Sequence, residues 1–282
     1  MARKKISIVD LQNRKADGRK ITMMTAYDHP TARLVDEAGI DTILVGDSLG
    51  MVVLGYSSTV PVTMEEMIHH CRAVCRGSGS CFVIGDLPFM SYQVSIEKAV
   101  ENAGRLVKEA GCDAVKLEGG SEMTGAVRAI VQAGIPVCGH IGLTPQSATK
   151  LGGFKVQGRD LTGARELLSS ARDLEEAGAF MLVMECIPDQ VSERITGLLK
   201  IPTIGIGAGI HCDGQVLVYH DAMGLFDRFK AKFVKRYAEL SPLVLEALMD
   251  FRKEVEGGIF PGPEHSFTMD GDEAERLREG AE

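Results

Sequence analysis

Residues 81–120 have the sequence CFVIGDLPFMSYQVSIEKAVENAGRLVKEAGCDAVKLEGG, which contains the unit from which the fold is built. The runs 81–87 and 114–120 are short and apolar, which is typical of buried strands. Between them, residues 95–110 form an amphipathic segment that closes on an Ala-Gly pair, as expected of a helix with a glycine C-cap. A strand, a helix and a second strand in this order predict a parallel βαβ unit.

The same alternation extends in both directions along the chain. Strands are predicted at 21–27, 41–47, 81–87, 114–120, 136–142, 179–186, 202–209 and 215–221. Helices are predicted between them at 30–38, 63–76, 95–110, 122–133, 162–177 and 189–199. The seventh connection is too short for a full helix, so that unit is expected to be irregular. Eight strands in 282 residues predict an α/β fold, a (β/α)8 TIM barrel, which commonly takes about 250 residues.

The barrel is expected to occupy 1–258 as a single catalytic domain. After the eighth strand, 231–240 and 241–258 have helical patterns, whereas 259–282 is polar and acidic and is expected to be a flexible tail. Two loops, 48–64 and 143–160, are longer than ordinary βα connections. Both leave the carboxyl ends of strands, so we expect them to be lids or binding loops.

The composition is that of a globular protein, with 45% hydrophobic and 25% charged residues. No apolar run approaches the ~18 residues of a membrane span, and the basic N-terminus lacks the apolar core of a signal peptide. A net charge of −8 without a Lys/Arg block argues against a nucleic-acid partner. The seven cysteines are scattered without CxxC pairs, which indicates reduced thiols. We therefore expect a cytoplasmic enzyme that acts on small molecules and has no membrane partner.

Carboxylates fall at the ends of four predicted strands, where barrel enzymes have their active sites. Asp47 ends the second strand, and Asp86, Glu118 and Glu185 lie near the ends of the third, fourth and sixth. A single acid of this kind is equally well explained as a helix N-cap or a salt bridge at the rim. Three acids on consecutive strands favour a shared divalent cation, because buried carboxylates need compensation and oxygen ligands suit Mg²⁺.

Lys116 lies two residues before Glu118, so both side chains are expected to face the barrel axis. We expect this lysine to bind a substrate carboxylate or to neutralise the acids. The competing interpretation is a Schiff-base lysine, but an ammonium beside metal-binding acids would stay protonated and be a poor nucleophile. Glu185, across the barrel, is free to act as a base; the simpler alternative for it is a salt bridge at the rim.

Other polar features at the strand ends are assigned supporting roles. Asp28, His140 and Asp221 are expected to orient neighbouring groups instead of contacting substrate. The glycine-rich run GIGAG at 205–209 ends a strand and does not open a long helix. Close backbone packing or an anion contact is therefore favoured over a dinucleotide-binding fingerprint.

A series of sequence blocks resembles, in order, the signature blocks of the ketopantoate hydroxymethyltransferase family. They are VGDSLGMV (45–52), PVTMEEM (61–67), GDLPFMSY (85–92), VKLEGG (115–120), GHIGLTPQS (139–147), LGGFKVQGR (151–159), MECIP (184–188) and IGIGAG with CDGQVLVYHD (204–221). The resemblance implies an enzyme of pantothenate, and hence coenzyme A, biosynthesis. Its reaction transfers a one-carbon unit from the co-substrate 5,10-methylenetetrahydrofolate to 3-methyl-2-oxobutanoate and gives 2-dehydropantoate.

Matching motif to motif, the resemblance also assigns individual residues. It implies Mg²⁺ ligands at Asp47, Asp86 and Glu118. It implies oxo-acid contacts at Asp47, Ser48, Asp86 and Lys116. Glu185 is then the acceptor of the substrate C3 proton. The resulting enolate, stabilised by one Mg²⁺ per subunit, attacks the folate-borne methylene group, and water releases tetrahydrofolate.

The resemblance further implies a barrel of the phosphoenolpyruvate mutase/isocitrate lyase type and a homo-oligomer, commonly a decamer. The chain departs from the family at 27–30 and 55–59, and Phe154 stands where a tyrosine is usual, which leaves the folate contacts open. Two alternatives remain. One is a Mg-dependent C–C lyase or mutase of the same superfamily; the other is a non-catalytic scaffold barrel, against which the intact set of rim acids argues.

Overall fold

The computed structural model describes residues 3–150, 152–228 and 231–280. Within these ranges, eight parallel strands close into a barrel in sequence order. The strands are β1 (Ile21–Thr25), β2 (Thr42–Val45), β3 (Phe82–Asp86), β4 (Ala114–Glu118), β5 (Val137–Gly142), β6 (Met181–Glu185), β7 (Thr203–Ile206) and β8 (Gly214–Leu217). The predicted (β/α)8 barrel is confirmed.

Helices surround the barrel and connect its strands. They are α1 (Ile8–Ala16), α2 (His29–Glu37), α3 (Leu49–Val52), α4 (Met64–Gly77), α5 (Ile96–Lys108), α6 (Thr124–Gln132), α7 (Leu161–Glu176), α8 (Asp189–Leu198), α9 (Tyr219–Ala222), α10 (Leu240–Glu256) and α11 (Gly271–Glu279). Residues 207–213, between β7 and β8, contain no helix, so the irregular seventh unit is confirmed. Among the described ranges, no helix is long and apolar enough to cross a membrane.

Strand alternation brings charged side chains to one end of the barrel. Val115 and Leu117 of β4 pack outward against the helices. Ala114 belongs to the apolar cluster inside the barrel, and Lys116 and Glu118 follow it on the same inner face because strand side chains alternate. The end of β3 follows the same pattern. The inner apolar layers thus support a charged layer at the carboxyl ends of the strands.

The chain after β7 differs from the sequence-based expectation in two places. The predicted strand 215–221 is too long, because the chain leaves the sheet after Leu217 and forms α9. The Tyr219 backbone N–H donates to the Thr25 hydroxyl of β1 at 2.8 Å, which holds this turn against the barrel.

The predicted helix over 231–240 is wrong, since residues 231–239 are not helical and α10 begins only at Leu240. The N–H groups of Tyr237 and Leu240 instead donate to the carbonyls of Ala222 and Met223, which keeps the segment against the end of α9.

The C-terminal helices lie outside the packed barrel. Neither α10 nor α11 has a buried residue. The sequence-based boundary at 258, between a catalytic barrel and a flexible tail, stays a prediction.

Candidate active site

A cavity of about 450 Å³ opens at the carboxyl ends of the strands. All residues predicted for the site line it, namely Asp47, Ser48, Asp86, Lys116, Glu118 and Glu185. Most of its remaining wall is apolar and includes Leu44, Met51, Val52, Phe154, Val156, Val183, Ile206, Val216, Val218, Phe226 and Phe233. The structure therefore brings the predicted residues together in one pocket that combines a polar cluster with apolar walls.

Three segments cover this cavity. The loops 48–64 and 143–160 both contribute side chains to its wall, as expected of binding loops. The third segment, Ala231–Phe233, lies in the stretch that sequence patterns wrongly predict as helical. A side chain at Gly207, whose φ is +64°, would place its Cβ 2.8 Å from the Phe233 ring. Close backbone packing is therefore what the GIGAG run provides here.

The Lys116 ammonium is the centre of a buried ion cluster. Its Nζ lies 2.8 Å from both carboxylate oxygens of Asp86 and 3.5 Å from Oε1 of Glu118. Burial alone disfavours the ammonium, but the charges of Asp86, Glu118 and Asp47 outweigh it and hold the pKa of Lys116 well above its ordinary value. A lysine kept protonated in this way is a poor Schiff-base nucleophile, which argues against that alternative.

The three carboxylates of the cluster are unequal. Burial, together with the charges of Asp86 and Glu118, raises the pKa of Asp47 well above its ordinary value. Burial also raises the pKa of Asp86, against the opposing effect of Lys116. For Glu118, the charge of Lys116 and the contact with His140 outweigh burial and lower the pKa. The site thus holds three buried acids against the single ammonium of Lys116.

The chemistry of these donors fits a divalent cation. Ionisation of all three carboxylates beside the one ammonium of Lys116 would leave an excess of negative charge in a buried place, which a doubly charged cation would neutralise. Carboxylate oxygens are also the ligands that Mg²⁺ prefers. In the part of the chain that the structure describes, no three His, Cys, Asp or Glu side chains are already arranged as a metal site. Asp86 is instead bound through both oxygens to Lys116.

His140 connects this cluster to Glu185. It is 2% exposed, and its ring nitrogens lie 3.4 Å from Oε1 of Glu118 and 3.3 Å from Oε2 of Glu185. Burial and the nearby Lys116 disfavour the imidazolium, but the two carboxylates outweigh them and raise the pKa of His140 to about 9. His140 thus contacts Glu185, as expected of an orienting residue.

The backbone at Glu185 leaves no room for a side chain at position 142 of the neighbouring strand, β5. The Glu185 carbonyl accepts a hydrogen bond of 2.8 Å from the N–H of Leu143. At Gly142, where φ is +95°, a Cβ would overlap that same carbonyl oxygen. Glycine at 142 therefore allows β5 to lie against the residue that carries the predicted base.

The remaining predicted polar residues divide between the cavity and the surface. Ser48 lines the cavity, and its Oγ is 2.8 Å from the hydroxyl of the buried Tyr27. Asp221 also lines the cavity, where burial raises its pKa. Asp28 instead caps α2, accepting a hydrogen bond of 2.8 Å from the Thr31 N–H, so it has the local structural role that strand-end acids often have.

Comparison with known proteins identifies the family of this chain. A family model described as "Ketopantoate hydroxymethyltransferase" matches residues 5–263. The chain belongs to this family. It is 60% identical over 265 residues to the 3-methyl-2-oxobutanoate hydroxymethyltransferase of Moorella thermoacetica, with 94% of this chain and 98% of the relative covered. It is 58% identical to the enzyme of the same name from Heliobacterium modesticaldum, with 95% and 97% covered.

Solved structures of other enzymes have the same fold. A phosphonopyruvate hydrolase matches with a TM-score of 0.60 at 15% identity, covering 95% of each chain. A 2,3-dimethylmalate lyase, described as a phosphoenolpyruvate mutase/isocitrate lyase superfamily member, matches with a TM-score of 0.59 at 16% identity, covering 98% and 99%. The predicted barrel type is thereby confirmed at the level of the fold.

Sequence patterns did not identify Gln146, a buried glutamine that contacts two of the site carboxylates. Gln146 lies in a short 3₁₀ turn, Pro145–Ser147, in the loop after β5. Periodicity carries no information in such a loop, because its side-chain directions depend on tertiary contacts. The only available signal was its position inside the block GHIGLTPQS.

From this ion cluster we predict that Lys116 is essential for stability in the absence of metal. Lys116→Met would leave the three carboxylates without their ammonium, so the free energy of unfolding at pH 8 should fall by about 3–5 kcal/mol. At pH 5 the loss should be smaller. Asp47 and Asp86 have raised pKa values in the folded state, so they take up protons more readily there than in the unfolded chain. Urea unfolding of the wild type and the variant, in the presence of a metal chelator, measures the loss of unfolding free energy at both pH values.

Lys98→Met is the matched control. The exposed Lys98 lies 3.0 Å from Glu101, and loss of such a surface pair should change stability by less than about 1 kcal/mol. Equal losses for the two variants, or a loss at 116 that does not depend on pH, would contradict the account of the cluster.

Proposed function

We propose that this chain transfers a hydroxymethyl group from 5,10-methylenetetrahydrofolate to 3-methyl-2-oxobutanoate and forms 2-dehydropantoate. The observation that carries the proposal is the buried cluster of Asp47, Asp86, Lys116 and Glu118, with Glu185 joined to it through His140. Relatives that are named for this activity are 53–60% identical over most of their length. In the net reaction, a hydroxymethyl group replaces the C3 hydrogen of the oxo acid. Water supplies the hydroxyl group, and the two folate nitrogens that carried the methylene group each regain a hydrogen as tetrahydrofolate leaves.

The polar cluster of the cavity supplies groups suited to the carboxylate and ketone of an oxo acid. Lys116 is a fixed, protonated donor, and the Ser48 hydroxyl is held by Tyr27. Asp47, Asp86 and Glu118 would hold the divalent cation, which we propose to be Mg²⁺. When bound, Mg²⁺ would supply a positive charge beside the two substrate oxygens and favour the build-up of negative charge on the ketone.

Glu185 is the residue that we propose takes up the proton beside this cluster. It ends β6 and is partly exposed to the cavity, with its side chain 16% exposed. His140, protonated through its two carboxylate neighbours, contacts one oxygen of Glu185 and so limits its orientation. The free carboxylate oxygen is available to accept the C3 proton of the oxo acid, whose acidity increases when the adjacent ketone is polarised.

The apolar part of the cavity wall suits the larger co-substrate. A volume of about 450 Å³ lies within the usual range for small-molecule sites and is more than a five-carbon oxo acid fills. The cavity wall also contains aromatic side chains, namely those of Phe154, Phe226 and Phe233. Such walls suit the flat rings of a folate donor.

Proton exchange and product formation together test this proposal. With Mg²⁺ and no folate donor, the wild-type protein should exchange the C3 proton of 3-methyl-2-oxobutanoate for deuterium from deuterated solvent. The loss of the C3 proton signal is measured by NMR. Addition of 5,10-methylenetetrahydrofolate should give 2-dehydropantoate. Cleavage or rearrangement of an oxo acid without any donor would instead favour a lyase or mutase of the superfamily.

Glu185→Gln separates the base from the other groups. The variant retains the shape of the side chain but cannot accept the proton, so exchange should fall by about 10²–10⁴-fold. Mg²⁺ binding, measured by calorimetry, should persist because Glu185 is not one of the proposed ligands. Retained exchange in this variant would exclude Glu185 as the base.

We also propose that the chain forms a homo-oligomer, a decamer being the number that the family resemblance implies. The supporting feature is α10, which lacks buried residues. Val244, Leu248, Phe251 and Val255 recur at helical spacing along it, and each is 47–60% exposed. An apolar face of this length is rarely left in water, and a second copy of the chain would cover it. The expected cytoplasmic location stays a prediction.

A charge on the apolar face of α10 should disrupt this assembly. Leu248→Glu is expected to shift the sedimentation velocity profile toward smaller species, because burial of the new carboxylate in an interface is costly. Lys253→Glu, away from the apolar stripe, is the control and should leave the profile unchanged. A monomeric wild-type protein would refute the proposal.

A further inference from the structure

Gln146 belongs to the loop 143–160 and contacts the charged cluster. It is 4% exposed and lies in the short turn Pro145–Ser147, close to the start of the loop 143–160. A buried amide needs partners for two N–H groups and for one oxygen. In this protein those partners come from Asp47, just beyond the end of β2, and from the segment that follows β3.

Two of its contacts are with carboxylates of the proposed metal site. The side-chain Nε2 donates to Oδ2 of Asp47 at 2.9 Å. The backbone N–H of the same residue donates to Oε2 of Glu118 at 3.0 Å. One residue therefore restrains one oxygen of each acid, on β4 and just beyond the end of β2.

The other contacts of Gln146 fix the orientation of its amide. Nε2 also donates to the carbonyl of Leu87 at 2.9 Å, so both of its hydrogens have acceptors. Oε1 accepts hydrogen bonds from the Tyr92 hydroxyl at 2.7 Å and from Nε2 of Gln93 at 3.3 Å. A reversed amide would direct its oxygen at the carboxylate of Asp47 and the carbonyl of Leu87, which are both acceptors. Only one orientation is compatible with these neighbours.

Tyr92 extends this connection back to the strand that carries Glu118. Its hydroxyl oxygen accepts a hydrogen bond of 3.1 Å from the Glu118 backbone N–H. Glu118 is thus restrained through its side chain by the Gln146 backbone and through its own backbone by a hydroxyl that contacts the Gln146 side chain. Tyr92 is 2% exposed, so the connection is shielded from water.

We propose that Gln146 is a positioning residue that holds Asp47 and Glu118 in the orientation required to bind the divalent cation. Because Gln146 lies near the start of the loop 143–160, the same contacts connect this part of the loop to the proposed metal ligands. This inference rests on the proposed function, since it concerns the ligands assigned there. It adds a residue that does not itself contact the substrate or the metal.

Gln146→Met tests the proposal, because methionine fills a similar volume but has no amide, and the backbone donor to Glu118 is retained. Mn²⁺ serves as the probe, its binding followed by electron paramagnetic resonance of the free ion. The dissociation constant for Mn²⁺ should rise by about 10–100-fold, as is usual when a residue that orients a metal ligand is lost. The kcat for hydroxymethyl transfer at saturating Mn²⁺ should also fall.

Gln93→Met is the matched control. It makes the same chemical change beside the same amide, but the Gln93 side chain contacts the far oxygen of Gln146 and neither of the two carboxylates. Its Mn²⁺ affinity should remain close to that of the wild type. A similar loss in both variants would indicate a general effect of a missing hydrogen bond and would overturn the proposal.

The melting temperature of each variant shows whether it is folded. If Gln146→Met does not give a folded protein, Tyr92→Phe is used instead, and its Mn²⁺ affinity should fall in the same direction because Oε1 loses its closest donor. A folded Gln146→Met, or Tyr92→Phe in its place, with wild-type Mn²⁺ affinity would overturn this inference and leave the proposed function intact. A wild-type protein that does not bind Mn²⁺ would refute both.

Discussion

The ion pair between the Lys116 ammonium and the Asp86 carboxylate is the interaction on which the site depends. Both side chains are almost completely buried, and two further carboxylates, Asp47 and Glu118, lie in the same layer. Carboxylates in this environment need a compensating charge, because burial without one costs several kcal/mol each. Lys116 provides part of that charge. The remaining excess is the physical reason to expect a divalent cation.

Strand register places these charges next to one another. Asp86 of β3 is paired with Lys116 of β4, Glu118 of β4 with His140 of β5, and Gly142 of β5 with Glu185 of β6. Contacts between neighbours therefore form a continuous series from the Asp86–Lys116 pair, through Glu118 and His140, to Glu185. Two residues of the proposed cation site and the proposed base thus lie along one series that follows from the strand pairing.

Much of this arrangement could be predicted because it follows from alternation. Once β3, β4 and β6 are recognised as strands, side chains two residues apart share a face. The acids near the ends of these strands must then meet at one end of the barrel. The same reasoning places Lys116 beside Glu118. Asp28 shows the limit of this reasoning, since an acid after a strand can simply cap the next helix.

What could not be predicted depends on contacts between distant segments. The stretch 231–239 has a helical pattern, but its backbone bonds to the end of α9, and Phe233 packs over Gly207 beside the cavity. Gln146 lies in a loop without periodicity, and its role becomes visible only when the carboxylates of two strands are found within hydrogen-bonding distance of it. Local sequence does not encode these distances.

The most direct measurement is a crystal structure of the protein soaked with Mg²⁺ and 3-methyl-2-oxobutanoate. The central claim is that Asp47, Asp86 and Glu118 form one site for the cation. The account predicts a single Mg²⁺ among these carboxylates, with the oxo acid bound beside Lys116 and Ser48. A Mg²⁺ bound elsewhere, with the Lys116–Asp86 pair unchanged beside the oxo acid, would contradict it.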